Sequence, residues 1–170
     1  MPTQKILSKT NLPGARAQAI VEFAIVLPIL LALLVGLLEV GRMMFIYAAV
    51  TNASRNAVRY ASAYGRVDAT LNKYTYNDCA GIRTKAINSA FLMQPADLTV
   101  TIEYDHGPGL SPYDTCTGNL DTLVVVNTGD RVFVTVTAQY KPMVRLIPIP
   151  NRTFTSSSHR TILGIVELVP

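Results

Sequence analysis

A chain of 170 residues has room for one modest domain besides a membrane anchor. Its hydrophobic fraction is 49% and its formal net charge is +4. Lys5, Lys9 and Arg16 supply three of those charges ahead of the main apolar run, so the rest of the chain is near neutral and lacks the electrostatic footprint of a nucleic-acid binder.

Residues 1–14 carry Pro2, Asn11, Pro13 and Gly14 with little periodicity, which predicts a disordered leader. A helix is expected from about Arg16. From Phe23 to Leu38 there is no charged side chain and one break, Pro28. These 16 residues make roughly 24 Å of helix. A bilayer core needs roughly 30 Å, and the weakly polar stretch Ala17–Val21 supplies the remainder. A cleaved secretory signal is the competing reading. The run passes into Leu37-Leu38-Glu39-Val40-Gly41-Arg42, which has no small-residue cleavage pattern, so a retained anchor is favoured. No acidic residue precedes the span, whereas three basic residues do. This predicts a cytoplasmic N-terminus and an exported chain from about Gly41 to Pro170. Arg42 lies beyond the span, and Glu39, one turn earlier, can pair with it at the membrane exit.

Helical spacing continues through Met43, Tyr47, Val50, Ala57 and Ala61, with Asn52, Arg55, Arg59 and Ser62 on another face. One helix from Arg16 to about Tyr64 would be roughly 70 Å long, with Gly65 as its stop and Asp68 as a turn residue. A connection from Leu71 to Asp78 follows. Asp78 can cap a second helix whose apolar face is Ile82, Ala86, Ile87, Ala90 and Phe91, closed by Pro95. The period then falls to two. Leu98, Val100, Ile102 and Tyr104 alternate with Thr99, Thr101 and Glu103. Val132, Val134, Val136, Ala138 and Tyr140 alternate with Phe133, Thr135, Thr137 and Gln139. Leu123 to Val126 is a short strand candidate before the turn Asn127-Thr128-Gly129-Asp130, and Arg152 to Ile162 reads as an edge strand. The fold class is α+β: a long N-terminal transmembrane helix continuing into a small extracytoplasmic domain with a short helix and a three- to four-stranded antiparallel sheet.

Cys79 and Cys116 both fall in the exported part, where an even count reads as one disulfide. It would close a loop of about 37 residues and contribute roughly 3 to 4 kcal/mol. Two separate thiols are the alternative. His106 and His159 have no metal-ligand spacing and read as exposed loop and edge residues. No nucleophile elbow, zinc-protease, P-loop or dinucleotide pattern occurs, so no cofactor and no enzyme are expected. Arg55 and Arg59 project together, with Arg66 past the helix stop. They could touch a neighbouring subunit or anionic lipid, or form a solvated face. Glu22, followed by Phe23, stands at the start of the apolar run. A carboxylate within a bilayer is costly and points to function, while interfacial hydration would make it cheap.

The stretch Ala17-Gln18-Ala19-Ile20-Val21-Glu22-Phe23-Ala24-Ile25-Val26-Leu27-Pro28 resembles the N-terminal signature of TadE-like pseudopilins of the Tad (Flp) pilus system. Leu38-Glu39-Val40-Gly41-Arg42 and Thr51-Asn52-Ala53-Ser54-Arg55-Asn56-Ala57-Val58-Arg59-Tyr60-Ala61 resemble the rest of that block. The resemblance covers about 45 residues and joins a Glu-Phe pair, an internal proline, a Glu/Arg exit and an Asn-Ala-x-Arg helix in one register. It implies a pilin-like fold and a minor, non-enzymatic subunit of an adhesion pilus, partnered by other pilin subunits, Tad assembly proteins and membrane lipid. It also implies a leader cut by a prepilin peptidase. In that register Glu22 is the fifth residue after a cut between Ala17 and Gln18, and Ala17 stands where the familiar form has Gly. The resulting division is a leader over 1–17, a transmembrane helix over 18–40, an amphipathic extension over 41–66 and an extracytoplasmic domain over 67–170. The rival reading is a single-pass anchor holding a binding module unrelated to a pilus.

Overall fold

The computed structural model of the protein describes residues 13–63, 65–70, 73–91, 93–116, 126–143 and 150–163. Helix α1 runs from Pro13 to Ser62, 50 residues or about 75 Å, and Pro28 lies inside it. A small hairpin follows, β1 (Arg66–Asp68) with β2 (Lys73–Tyr74). Helix α2 (Cys79–Ser89) and a 3-10 turn (Pro95–Asp97) lead into β3 (Leu98–Asp105), β4 (Asp114–Thr115), β5 (Arg131–Tyr140) and β6 (Arg152–Thr161). The last four strands form one antiparallel sheet in the order β4-β3-β5-β6. The architecture is the expected α+β plan.

The alternating strands explain the core. Val132, Val134, Val136, Ala138 and Tyr140 point to one face of β5 and are fully buried, as are Ile102 and Tyr104 of β3. α1 covers this face over β5 and β6, and α2 lies beside α1 next to β3. The buried stripe of α1 is small: Ala49, Ala53, Ala57 and Ala61 let the backbone approach closely, and Ile46, Val50 and Val58 fill the space between. Ser54, wholly buried, shares hydrogen bonds with the hydroxyls of Ser156 (3.1 Å) and Ser158 (3.0 Å) on β6. Burying these hydroxyls is inexpensive because each finds a partner.

Several expectations shift. The packed stripe of α1 buries Val50, Ala57 and Ala61 as expected and differs at one position. Tyr47 is 58% exposed, edge-on to Phe154, while Ile46 is buried. Phe91 is 81% exposed rather than on the buried face of α2. The helix ends at Ser89, and Ala90 leaves helical geometry (φ −98°, ψ 45°), so the 3.6-residue period no longer carries Phe91 inward. The connection before Asp78 contains β2, which pairs with β1 around Asp68, whose carboxylate accepts from the Thr70 N–H (2.8 Å). Strand β4 had no signal in the sequence. The strand expected at Leu123 to Val126 lies outside the described residues except for Val126, which is not in a strand. Asp78 does cap α2, accepting from the Gly81 N–H (2.9 Å). In the turn before β5, Gly129 takes φ +101°, a conformation that favours glycine.

Cys79, at the start of α2, and Cys116, just after β4, are joined by a disulfide with their Cα atoms 5.8 Å apart. It ties the helical layer to the outer strand of the sheet. Cys79→Ser is expected to lower the unfolding free energy by about 3 kcal/mol and to slow migration on a non-reducing gel, measured by denaturant titration alongside electrophoresis.

Three carboxylates hold the loops around this core, each lowered below the ordinary range. Burial works against Asp78, but the Gly81 N–H, Lys73 and Tyr60 outweigh it. Asp105 is held down first by the Arg131 guanidinium, 2.7 Å away. Burial also opposes Asp130, and His106, the Asn127 N–H and Tyr113 more than offset it. A carboxyl lowered in the folded state contributes stability above its unfolded pKa, and that contribution disappears as pH falls through the folded value. The domain should therefore hold a constant melting temperature from neutrality down to about pH 5 and lose it steeply below about pH 4. Thermal scans across that range test this.

Candidate functional site

The apolar half of α1 has no packing partner in the described chain. Phe23 is 63% exposed and Leu38 is 73% exposed. This helix is long and apolar enough to cross a membrane. Along it, Glu39 is the first buried residue among those described. A charged side chain thus opens the protein-packed half of the helix.

Glu39 is buried because the sheet supplies donors. Its carboxylate accepts a hydrogen bond from the Tyr140 hydroxyl at the end of β5, and another from the Met143 N–H (2.9 Å). Arg42 lies 3.7 Å from the same carboxylate, donates to the Lys141 carbonyl (2.9 Å), and stands over the Tyr140 ring at 5.2 Å. Burial raises the Tyr140 hydroxyl pKa, and the neighbouring Glu39 raises it further. Glu39 and Arg42, read in the sequence as a pair within one helix, therefore act together on a third element. They clasp the chain where β5 ends. Tyr140, Lys141 and Met143 carried no signal for this role, because spacing along one helix says nothing about a partner about 100 residues away. Beside the clasp, Phe91 overhangs Leu37, Leu38, Gly41, Phe45 and Ile46, leaving an apolar groove of about 570 Å³.

The other candidate residues lie elsewhere. Ala17, Gln18, Glu22 and Phe23 are exposed at the opposite end of the apolar run, about 24 to 33 Å along the helix from Glu39. The Gln18 side chain donates to Glu22 (2.9 Å). Arg55 and Arg59 are exposed on the domain half of α1, beside β6. His106, read as a bland loop residue, has more structure than that. Its Nδ1 lies 2.8 Å from the buried Asp130 carboxylate, and its ring stacks on Tyr113. His159 stacks on Phe133 across β5 and β6. Among the described residues, no cluster of three or more His, Cys, Asp or Glu side chains could hold a metal ion.

The stretch that holds the exposed apolar run, the Glu39 clasp and the arginine face is one continuous match to a known family. Residues 17–59 fit the family model described as TadE-like protein. This segment is TadE-like. It amounts to about a quarter of the chain and ends before the sheet domain. No curated protein and no solved structure matches the chain. The TadE-like segment thus contains both halves of α1, and its Glu39 and Arg42 reach the end of β5 outside the match.

Removing the Glu39 carboxylate would leave the Tyr140 hydroxyl and the Met143 N–H without their acceptor. Glu39→Ala is expected to destabilise the domain by about 3 kcal/mol, whereas Arg42→Gln, which removes a side chain that is itself partly exposed to water, should cost about 1 kcal/mol or less. Hydrogen exchange at the Met143 amide should accelerate in the first variant and change little in the second.

Proposed function

We propose that this protein is a non-enzymatic, pilin-like component of a Tad-type pilus or secretion assembly that supports pilus formation and surface attachment. It is held in the bacterial cytoplasmic membrane by α1, with the N-terminus inside and the sheet domain outside. The observation that carries the reading is the division of the TadE-like helix at Glu39. Its first half is apolar and unpacked, and its second half is the spine of the domain. A helix built this way can exchange lipid for the helices of neighbouring subunits without unfolding the domain it carries. The three basic residues ahead of the span support the orientation.

Processing fits the same scheme. A prepilin peptidase cutting between Ala17 and Gln18 would create an ammonium on Gln18, one helical turn from Glu22. Pairing with Glu22, on the same helix or across to a neighbour, offsets the desolvation each charge would meet among packed apolar helices. Alanine in place of glycine before the cut keeps the side chain small.

Intact-mass analysis of the protein from its native membranes tests the proposal. A chain beginning at Gln18, co-purifying with pilin subunits, is the expected result. A chain that retains residues 1–17 and brings no pilin partner would overturn it and favour a static anchor bearing a binding module. Glu22→Gln is expected to leave the domain folded while reducing recovery of the protein in sheared surface fibres by roughly tenfold, a loss of about 1.4 kcal/mol in assembly.

A further inference from the structure

Arg55 and Arg59 of α1, Arg160 of β6 and Lys85 of α2 come from three separate elements to one side of the domain. Arg55, Arg59 and Arg160 line a cleft of about 470 Å³ together with Ser157, Ser158 and His159. Arg59 and Asn56 also form the wall of an adjoining cleft of about 460 Å³, where Lys85 and Ser89 lie on the far side. None of the four cations makes an ion pair among the described residues, although every other part of this near-neutral domain that carries a buried acid supplies it with a donor. Like charges gathered without a counter-charge raise the local potential and favour a bound anion.

The strip stands far from lipid. Arg55 and Arg59 are 16 and 20 residues beyond Glu39 on a continuous helix, about 24 and 30 Å along its axis. Even at a tilt of about 40°, that clears the headgroup layer by more than a Debye length of about 8 Å. Anionic headgroups of the membrane that holds α1 are therefore out of reach.

Two adjoining clefts that share one wall suit a linear ligand with repeated anionic groups. The neutral groups in the lining include some that bind polyols: the Asn56 amide and the Ser89 hydroxyl. The Ser89 hydroxyl retains hydrogen-bonding capacity beyond its bond to Asn56. Both aromatic side chains of the lining have partners within the protein. Tyr60 is tied to Asp78 through its hydroxyl, and His159 is already stacked on Phe133. We propose that this strip binds an acidic polysaccharide, with the guanidinium groups pairing with successive uronate carboxylates. The proposal rests on the extracytoplasmic placement of the domain given above.

The test uses the full chain in nanodiscs of zwitterionic phosphatidylcholine, titrated with a short oligogalacturonate, a neutral malto-oligosaccharide and a single-stranded oligonucleotide of equal charge. Saturable binding of the oligogalacturonate is expected, weakening as salt rises from about 50 to about 300 mM, with no binding of the neutral sugar. The oligonucleotide should bind at least about tenfold more weakly. The triple variant Arg55→Gln, Arg59→Gln, Arg160→Gln should keep its melting temperature and lose at least about tenfold in affinity, while Lys141→Gln, near the membrane exit, should not change it. Equal affinity in the triple variant, equal affinity for the oligonucleotide, or no saturable binding of the oligogalacturonate would each overturn the proposal. Protease accessibility in spheroplasts reports the placement of the domain separately. A cytoplasmic domain would defeat the placement while leaving the binding result intact.

Discussion

One helix has to satisfy two solvents. The first half of α1 exposes Ile20, Phe23, Leu33 and Leu38, which water would solvate poorly, and the second half buries Ile46, Val50 and Ala57 against protein. Backbone hydrogen bonds do not mark the change, because the helix is continuous across it. The change is made by side chains, and it is made at Glu39. A carboxylate at the edge of an apolar run would be costly facing lipid, so its natural position is the side where donors exist. The end of β5 provides them through Tyr140 and Met143. This fixes which side of α1 the sheet must occupy at its membrane-proximal end, and the small-residue stripe of α1 continues that choice toward Ala61.

From that contact the remainder of the domain follows as a sequence of packing requirements. The alanine stripe brings α1 close to β5 and β6, and a close helix leaves no room for large residues on β6. Opposite the middle of the alanine stripe β6 accordingly carries Ser156 and Ser158, which bond to Ser54, with Phe154 on the same face nearer the start of the strand. α1 lies over only part of the sheet. α2 covers the region near β3, and the disulfide from Cys79 to Cys116 fastens it there. A helical layer made of one long and one short helix is thus anchored at two points: by hydrogen bonds at the Glu39 end, and by a covalent bond beside β4.

Much of this was legible in the sequence, and the reasons differ by element. The apolar run is 16 residues without a charge, and the two long strands alternate over about seven residues or more, so a few exceptions do not hide them. Boundaries depended on single residues. Ala90 ends the α2 period one residue before Phe91, and nothing in the composition of Ala90-Phe91 announces that. Strand β4 is two residues long and exists only because β3 extends beside it, so it had no periodicity to offer. The candidate site divides in the same way. Glu39 and Arg42 were visible as a pair on one helix, since i and i+3 positions meet by geometry. Tyr140 was visible only as a core residue, because the hydroxyl that reaches Glu39 depends on how the sheet lies across the helix. His106 shows the reverse case. The Gly107-Pro108-Gly109 that follows it reads as a loop, and its partner Asp130 belongs to the turn before β5.

The same logic separates the two ends of the TadE-like segment. Gln18 and Glu22 are exposed on a half-helix that packs against nothing among the described residues. Glu39 is complete within the chain, since each carboxylate oxygen has a donor. Two acidic residues about one bilayer thickness apart on one helix therefore have opposite requirements. Glu39 has already found its partners and stabilises the fold of the monomer. Glu22, by contrast, accepts from the Gln18 side chain at the surface of the apolar half. That asymmetry suits the proposed role, in which the domain folds within the chain and the apolar half of α1 is left for other contacts.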